Sequence, residues 1–201
     1  MKQRVFGTVA AFLAAVLLLT VPCSANSARS AVVLDCVSGR LLLDKKGSEK
    51  SLIASTTKIM TALLVCERCN VLDQMVIPKQ AVGIEGSSMY LKEGERLTLQ
   101  ELLYGLMLSS GNDAAVALAL YCCGSIQEFA NLMNDKARSL GMTGSHFENP
   151  NGLDSPNHYS TARDLAILAS YAMENPIFQK TVSTKTVTVG NRVLRNHNKL
   201  L

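Results

Sequence analysis

Apolar and polar residues recur along this chain with two different periods, and the changes between them mark the elements. Ala31-Val-Val-Leu-Asp-Cys36 and Arg40-Leu-Leu-Leu-Asp44 are short apolar runs around a Ser38-Gly39 turn, which predicts a hairpin of two strands. Lys45 to Ser51 is polar and reads as a loop. From Ser55 to about Cys69 the apolar positions Ile59, Met60, Ala62, Leu63, Leu64 and Cys66 predict a mostly buried helix that begins at Ser55 or just before. Met75-Val-Ile77 is strand-like, and a Gly-containing segment runs from Gly83 to Gly94. Thr98-x-x-Glu101 is a capping box that opens a helix to about Leu108, and Ser109-Ser-Gly-Asn112 breaks it. A second apolar helix is predicted from Asp113 to Cys123, and Ser125-x-x-Glu128 caps a third that ends at Gly141. His146 to Tyr159 is irregular; Thr161-x-x-Asp164 then caps a helix to about Met173. Thr181 to Val189 alternates Thr and Ser with Val, and a Gly190-Asn191 turn returns it through Arg192-Val-Leu-Arg195, which predicts a second hairpin.

Strands, a helical block over about 55–175, then strands again imply an α+β fold. Its antiparallel sheet would be built from both ends of the chain, from strands at 31–44 and 181–196. No internal repeat or low-complexity tract interrupts this order. The final strand has no sheet partner after it before Leu201, so the expectation is that the chain is the N-terminal part of a longer catalytic domain.

Composition and charge narrow the classes. With 48% apolar and 18% charged residues the chain can bury a sizeable core. Its net charge of +4 falls to +2 without Lys2 and Arg4, and there is no basic cluster and little aromatic content, so nucleic-acid binding is set aside. Lys2 and Arg4 precede the uncharged run Val5 to Val21, followed by small residues around Cys23, Ser24, Ala25 and Ala28, which is signal-peptide anatomy with residues 1–25 as the leader. The run is short for a membrane span, and Pro22 argues against lipid attachment at Cys23. The mature protein is thus expected to be secreted across the cytoplasmic membrane, to the cell wall or the membrane's outer face.

Five cysteines remain after the leader, Cys36, Cys66, Cys69, Cys122 and Cys123, an odd number that excludes a complete disulfide framework. Cys66-x-x-Cys69 invites a metal or redox reading, but no second such pair exists, and adjacent Cys122 and Cys123 point to different faces of a helix. Small apolar fillers, with one opportunistic bridge, account for them as well.

The candidate chemistry lies at helix boundaries. Ser55-Thr-Thr-Lys58 puts a hydroxyl and an amine on one face of a helix start. Serine attacks a carbonyl when a neighbour removes its proton, and lysine can do so if its pKa is lowered toward neutrality. A helix N-terminus disfavours the ammonium form and offers backbone N–H groups to a developing oxyanion. By itself S-x-x-K arises by chance about once in a chain of this length, and an N-cap serine beside a solvated lysine is the plain alternative. Ser110-Gly-Asn112 places a second hydroxyl and a carboxamide in a break between apolar helices.

Together with Ile53 to Leu64, Glu85-Gly-Ser-Ser-Met89, Leu102-Leu-Tyr-Gly-Leu106, Ser110-Gly-Asn-Asp-Ala-Ala115, Asn149-Pro-Asn-Gly-Leu-Asp154 and Tyr159-Ser-Thr-Ala-Arg-Asp164, these motifs resemble the serine D-alanyl-D-alanine carboxypeptidases. These are the low-molecular-weight penicillin-binding proteins, and the resemblance runs from about Ala31 to Leu201. It implies the β-lactamase/DD-peptidase fold and a hydrolase that needs no metal or organic cofactor. It also implies that Ser55 attacks the terminal D-alanyl-D-alanine bond of a peptidoglycan stem peptide, with Lys58 as its general base. Ser110 would relay a proton to the leaving amine, and Asn112 would bind the substrate backbone. β-Lactam antibiotics would acylate Ser55.

One departure matters: the Lys-Thr-Gly motif of these enzymes, which lies on a strand after the segment matching Asn196 to Leu201, does not occur here. The 201 residues alone are therefore expected to be inactive or unstable, and any C-terminal segment for peripheral membrane association would also lie beyond them. A β-lactamase or esterase on the same fold, and a catalytically inactive wall-binding homologue, are the alternatives. His146, His158 and His197 form no triad with Ser55 and read as hydrogen-bonding residues; Asp113 reads as a helix cap; Glu148, just before Asn149, resembles the deacylating Glu of class A β-lactamases, but its local context matches the carboxypeptidases instead. Met60, Met89, Met107 and Met133 read as core fillers.

Overall fold

The computed structural model describes residues 27–201, so the expected leader at 1–25 lies outside the described residues. The first hairpin pairs β1 (Ala31–Leu34) antiparallel with β2 (Leu41–Lys45), Val32 opposite Asp44, with an irregularity after Val33. A 3-10 turn over Ala54–Thr57 then leads into α1 (Lys58–Arg68), so the helix starts three residues later than the apolar pattern suggests. Short strands β3 (Gln74–Val76) and β4 (Arg96–Thr98) pair antiparallel inside the helical block, which is therefore not purely helical.

Thr98 caps α2 (Leu99–Leu108) with both halves of the capping box in place. Gly111 precedes α3 (Asn112–Cys123), Ser125 accepts from the Glu128 amide to cap α4 (Ile126–Ser139), and Thr161 accepts from Asp164 to cap α5 (Ala162–Ala172). The last hairpin is β5 (Thr186–Val189) with β6 (Arg192–Arg195).

One expected strand is partly a helix. Residues 181–183, read from their Thr/Val/Ser alternation as strand, close α6 (Pro176–Ser183). Asn175 caps it, accepting from the amides of Ile177 and Phe178, and Pro176 occupies the first turn, where its missing N–H costs nothing. Phe178 and Thr181 are buried three residues apart, a helical spacing that outweighs the local β preference.

The α+β class stands, with three separate two-stranded ladders among the described residues instead of one sheet; the two end hairpins pair within themselves and not with each other. The core lies among the helices. α1 contributes Met60, Leu63 and Leu64, α2 contributes Leu102, Leu103 and Leu106, and α3 contributes an alanine-rich run from Ala114 to Ala119, all essentially inaccessible. Small side chains on α3 let α1, α2 and α4 all pack against it. Gly105 serves the same end, because a Cβ there would lie 2.1 Å from the Sδ of Met89. That close approach seats the Glu85 to Leu91 segment on α2. Among the described residues no single helix is long and apolar enough to cross a membrane.

Candidate active site

α1 and α3 present their N-terminal ends at the same place. There the Ser55 Oγ lies 3.0 Å from the Lys58 Nζ and 2.9 Å from the Ser110 Oγ. Ser55 is exposed while Lys58 is only 2% exposed, so an accessible hydroxyl sits above a buried amine. Ser55 belongs to the 3-10 turn and caps no helix, and Lys58 is not solvated, which removes the plain alternative for this pair.

Both hydroxyls are carried on unusual backbone. Ala54, just before Ser55, has φ +44°, and Ser110 has φ +54°, in the left-handed region that L-residues other than Asn and Asp seldom occupy. Such conformations cost about 1–3 kcal/mol each and persist only where surrounding contacts impose them. Around Ser110 those contacts are the Gly111 amide on the Gly105 carbonyl and the Asn112 amide on the Ser87 carbonyl.

The electrostatics favour a transferable proton. Burial pulls the Lys58 pKa down from its ordinary value to about 8, against the opposing pull of the Asp113 carboxylate. The ammonium is held by the Ser55 Oγ and by the backbone carbonyl of Asn151 at 2.6 Å. At pH 7 roughly a tenth of the lysine is then neutral and able to accept the Ser55 proton. Among the described residues no group of three or more His, Cys, Asp or Glu side chains converges as a metal donor set.

The 149–154 turn closes the floor. Thr61 Oγ1 donates to the Pro150 carbonyl at 2.6 Å, and Asn149 Oδ1 accepts from the Gly152 amide at 2.7 Å. Gly152 has φ +86°, and a Cβ there would lie 1.9 Å from the Ala54 carbonyl oxygen, so only glycine fits. Sequence reading quoted this Asn-Pro-Asn-Gly segment without assigning it a part; the structure makes its Asn151 carbonyl a lysine-holding group. The turn residues themselves were the available signal.

A cleft of about 600 Å³ opens over Ser55, lined by Glu85, Ser87, Asn112, Gly152 and Asp154 among others. Asn112 donates from Nδ2 to the Glu85 carbonyl at 2.6 Å and has no partner for Oδ1 among the described residues. Asp113 does more than begin a helix. Its buried carboxylate accepts from the amides of Met89 and Leu91 at 3.1 and 3.0 Å and from the Ser88 hydroxyl at 2.6 Å, tying the 88–91 wall to α3.

The histidines stand apart from Ser55. His158 is buried, accepts from the Glu148 amide through Nδ1 at 3.1 Å, and so carries its proton on Nε2, which donates to the Thr57 Oγ1 at 2.7 Å. His146 Nδ1 lies 2.7 Å from the Asn157 carbonyl. Glu148 accepts from Ser155 and Asn157 within its own loop.

Comparison with known proteins agrees with this geometry. The family model for D-alanyl-D-alanine carboxypeptidase, Peptidase S11, matches residues 19–201. The D-alanyl-D-alanine carboxypeptidase DacF of Bacillus subtilis is 38% identical over 165 residues, covering 80% of this chain and 42% of that protein. The D-alanyl-D-alanine carboxypeptidase of Streptomyces sp. strain K15 is 40% identical over 162 residues, covering 75% of this chain and 56% of that protein. Penicillin binding protein 6B from Escherichia coli superposes with a TM-score of 0.81 at 34% identity, over 85% of this chain and 58% of that one. The chain spans about half the length of the curated relatives it matches. By the extent of the family match and the level of these identities, this chain belongs to the D-alanyl-D-alanine carboxypeptidase family, Peptidase S11.

Proposed function

We propose that this chain carries the acylating machinery of a serine D-alanyl-D-alanine carboxypeptidase. The observation that supports it is the Ser55 Oγ within hydrogen-bonding distance of both the buried Lys58 amine and the Ser110 hydroxyl. In its neutral form Lys58 takes the Ser55 proton as Oγ attacks the carbonyl between the two terminal D-alanines of a peptidoglycan stem peptide. The proton then passes by way of Ser110 to the leaving amine, D-alanine departs, and an acyl ester remains on Ser55. Water hydrolyses that ester, with Lys58 again the base. Asn112 lines the cleft with an unpartnered Oδ1 that suits a substrate backbone N–H. A β-lactam would acylate the same oxygen and be released slowly.

The substrate's location places this work outside the cytoplasmic membrane. Residues 1–25 serve as the secretion leader in this reading.

The test is covalent labelling of the full-length protein with a fluorescent penicillin, alongside D-alanine release from a peptide ending in D-alanyl-D-alanine. Label on the peptide containing Ser55, lost in Ser55→Ala, together with D-alanine release, is the expected result. Label on another residue, or rapid penicillin hydrolysis without D-alanine release, would overturn the proposal.

A further inference from the structure

Among the described residues, side-chain hydrogen bonds join the start of α1 to the 147–158 loop from positions 57, 58 and 61. Thr61 Oγ1 donates to the Pro150 carbonyl and Lys58 Nζ to the Asn151 carbonyl, both at 2.6 Å. The remaining bond runs from the His158 Nε2 to the Thr57 Oγ1 at 2.7 Å, and Thr57 is the last residue of the 3-10 turn that carries Ser55. It is the one that reaches the turn itself.

We propose that His158 is a positioning residue for acylation: through Thr57 it fixes the turn carrying the Ser55 hydroxyl against the loop whose Asn151 carbonyl holds Lys58. The inference rests on the acylating role proposed above for Ser55 and Lys58. His158 hydrogen-bonds to neither of them, so it acts through Thr57 alone.

His158 is held rigidly. It is 1% exposed, and its own amide donates to the Ser155 carbonyl at 3.0 Å. The next two residues are pinned as well, because Tyr159 exchanges both backbone hydrogen bonds with His146, and Ser160 exchanges both with Ser51, four residues before Ser55. The imidazole meets the Phe147 ring edge-on, with centroids 5.7 Å apart. Thr57 is equally enclosed, and a Cβ on Gly152 would lie 2.9 Å from its Oγ1. The glycine that lets the loop approach the Ala54 carbonyl therefore also leaves room for the Thr57 hydroxyl.

Both ring nitrogens are committed. Nδ1 accepts from the Glu148 amide at 3.1 Å, so the one ring proton sits on Nε2 and is given to Thr57. A second proton would set an N–H against the Glu148 N–H, so the contact belongs to the neutral imidazole. Burial holds the imidazole pKa below its ordinary value; His146 adds to this effect, and the carboxylates of Glu148 and Asp154 oppose it. On the α1 side the ionisable neighbour is Lys58, next in the chain after Thr57. Without the His158–Thr57 bond the loop carbonyls still hold α1, but the turn before it loses its tie. A displacement of about 1 Å between reacting groups is enough to cost on the order of 100-fold in rate.

The experiment measures acylation of the full-length protein by a fluorescent penicillin over a range of concentrations, which separates the acylation rate constant from the dissociation constant of the initial complex. In folded protein His158→Ala and Thr57→Val should each lower the rate constant at saturating penicillin about tenfold or more, with the dissociation constant little changed. Thr57→Ser keeps the hydroxyl and should restore most of the wild-type rate. The double variant should be no slower than the slower single variant, since both remove one bond. Imidazole nitrogen NMR signals of the wild type should report a proton on Nε2 and none on Nδ1. Thr57→Val keeps the shape of the side chain and carries the test if His158→Ala does not fold. Folded variants that acylate at the wild-type rate, a change confined to the dissociation constant, independent effects in the double variant, or a proton on Nδ1 would overturn the proposal. A wild type that is not labelled at Ser55 fails earlier, overturning the acylation reading and this proposal with it.

Discussion

Lys58 donates from Nζ to the backbone carbonyl of Asn151 at 2.6 Å, and this bond aims the same nitrogen at Ser55. A backbone acceptor holds the lysine without itself titrating, so the proton on Nζ answers to burial and to Asp113. The predictions below follow from that arrangement and from the contacts that keep the 149–154 turn and the 88–91 wall in place.

Acylation by a labelled penicillin should rise with pH through the neutral range and level off above about pH 8, as Lys58 loses its proton. Below that pKa the rate should fall about tenfold per pH unit. A rate that is flat from pH 6 to 8 would mean that Lys58 is not the base.

The same lowered pKa has a consequence for stability. The folded lysine gives up its proton near pH 8 and the unfolded one near its ordinary 10.5, so between these values the unfolded chain binds more protons and stability increases with pH. The wild type should gain on the order of 3 kcal/mol across this window relative to Lys58→Met. Chemical denaturation of both proteins at pH 7.5 and pH 10 checks the sign.

Asp113→Asn should move the acid limb of acylation to lower pH. The carboxylate raises the Lys58 pKa against burial, and removing its charge lets that pKa fall further. An amide in its place also faces a backbone N–H with another N–H, so a loss of about 1–3 kcal/mol is expected in urea unfolding. The pH–rate profile separates the electrostatic effect from the loss of stability.

Gly152→Ala should slow acylation as well as destabilise the fold. Its Cβ would meet the Ala54 carbonyl at 1.9 Å and its φ of +86° disfavours alanine, so the turn must shift and carry the Asn151 carbonyl with it. A loss on the order of 2 kcal/mol or more is expected. Unchanged acylation kinetics in a folded Gly152→Ala protein would contradict the positioning of Lys58 by this turn.

Asn175→Ala gives the contrasting case. It removes the acceptor for the Ile177 and Phe178 amides at the start of α6, with an expected cost of about 1 kcal/mol. Labelling of Ser55 in the folded fraction should be unaffected.

Local signals marked most of the fold. The capping residues Thr98, Ser125 and Thr161 each stand where a helix begins, because an N-cap side chain answers amides only three positions away. The strand assigned to residues 181–183 failed because alternating Thr and Val states a local preference only, while the cap at Asn175 and the burial of Phe178 commit those residues to helix. β4 was missed because three residues show no period of their own and exist as a strand only by pairing with β3.

The sequence by itself determined most of the order of the elements and singled out Ser55, Lys58, Ser110 and Asn112 as candidates, because helix boundaries and motif spacing depend on residues close along the chain. Only the tertiary structure decided that Lys58 would be buried, that the Asn151 carbonyl would hold it, and that Asp113 would tie down the opposite wall. Burial and long-range hydrogen bonds depend on which helices pack together. Those contacts join positions tens of residues apart, a distance over which local sequence pattern carries no information.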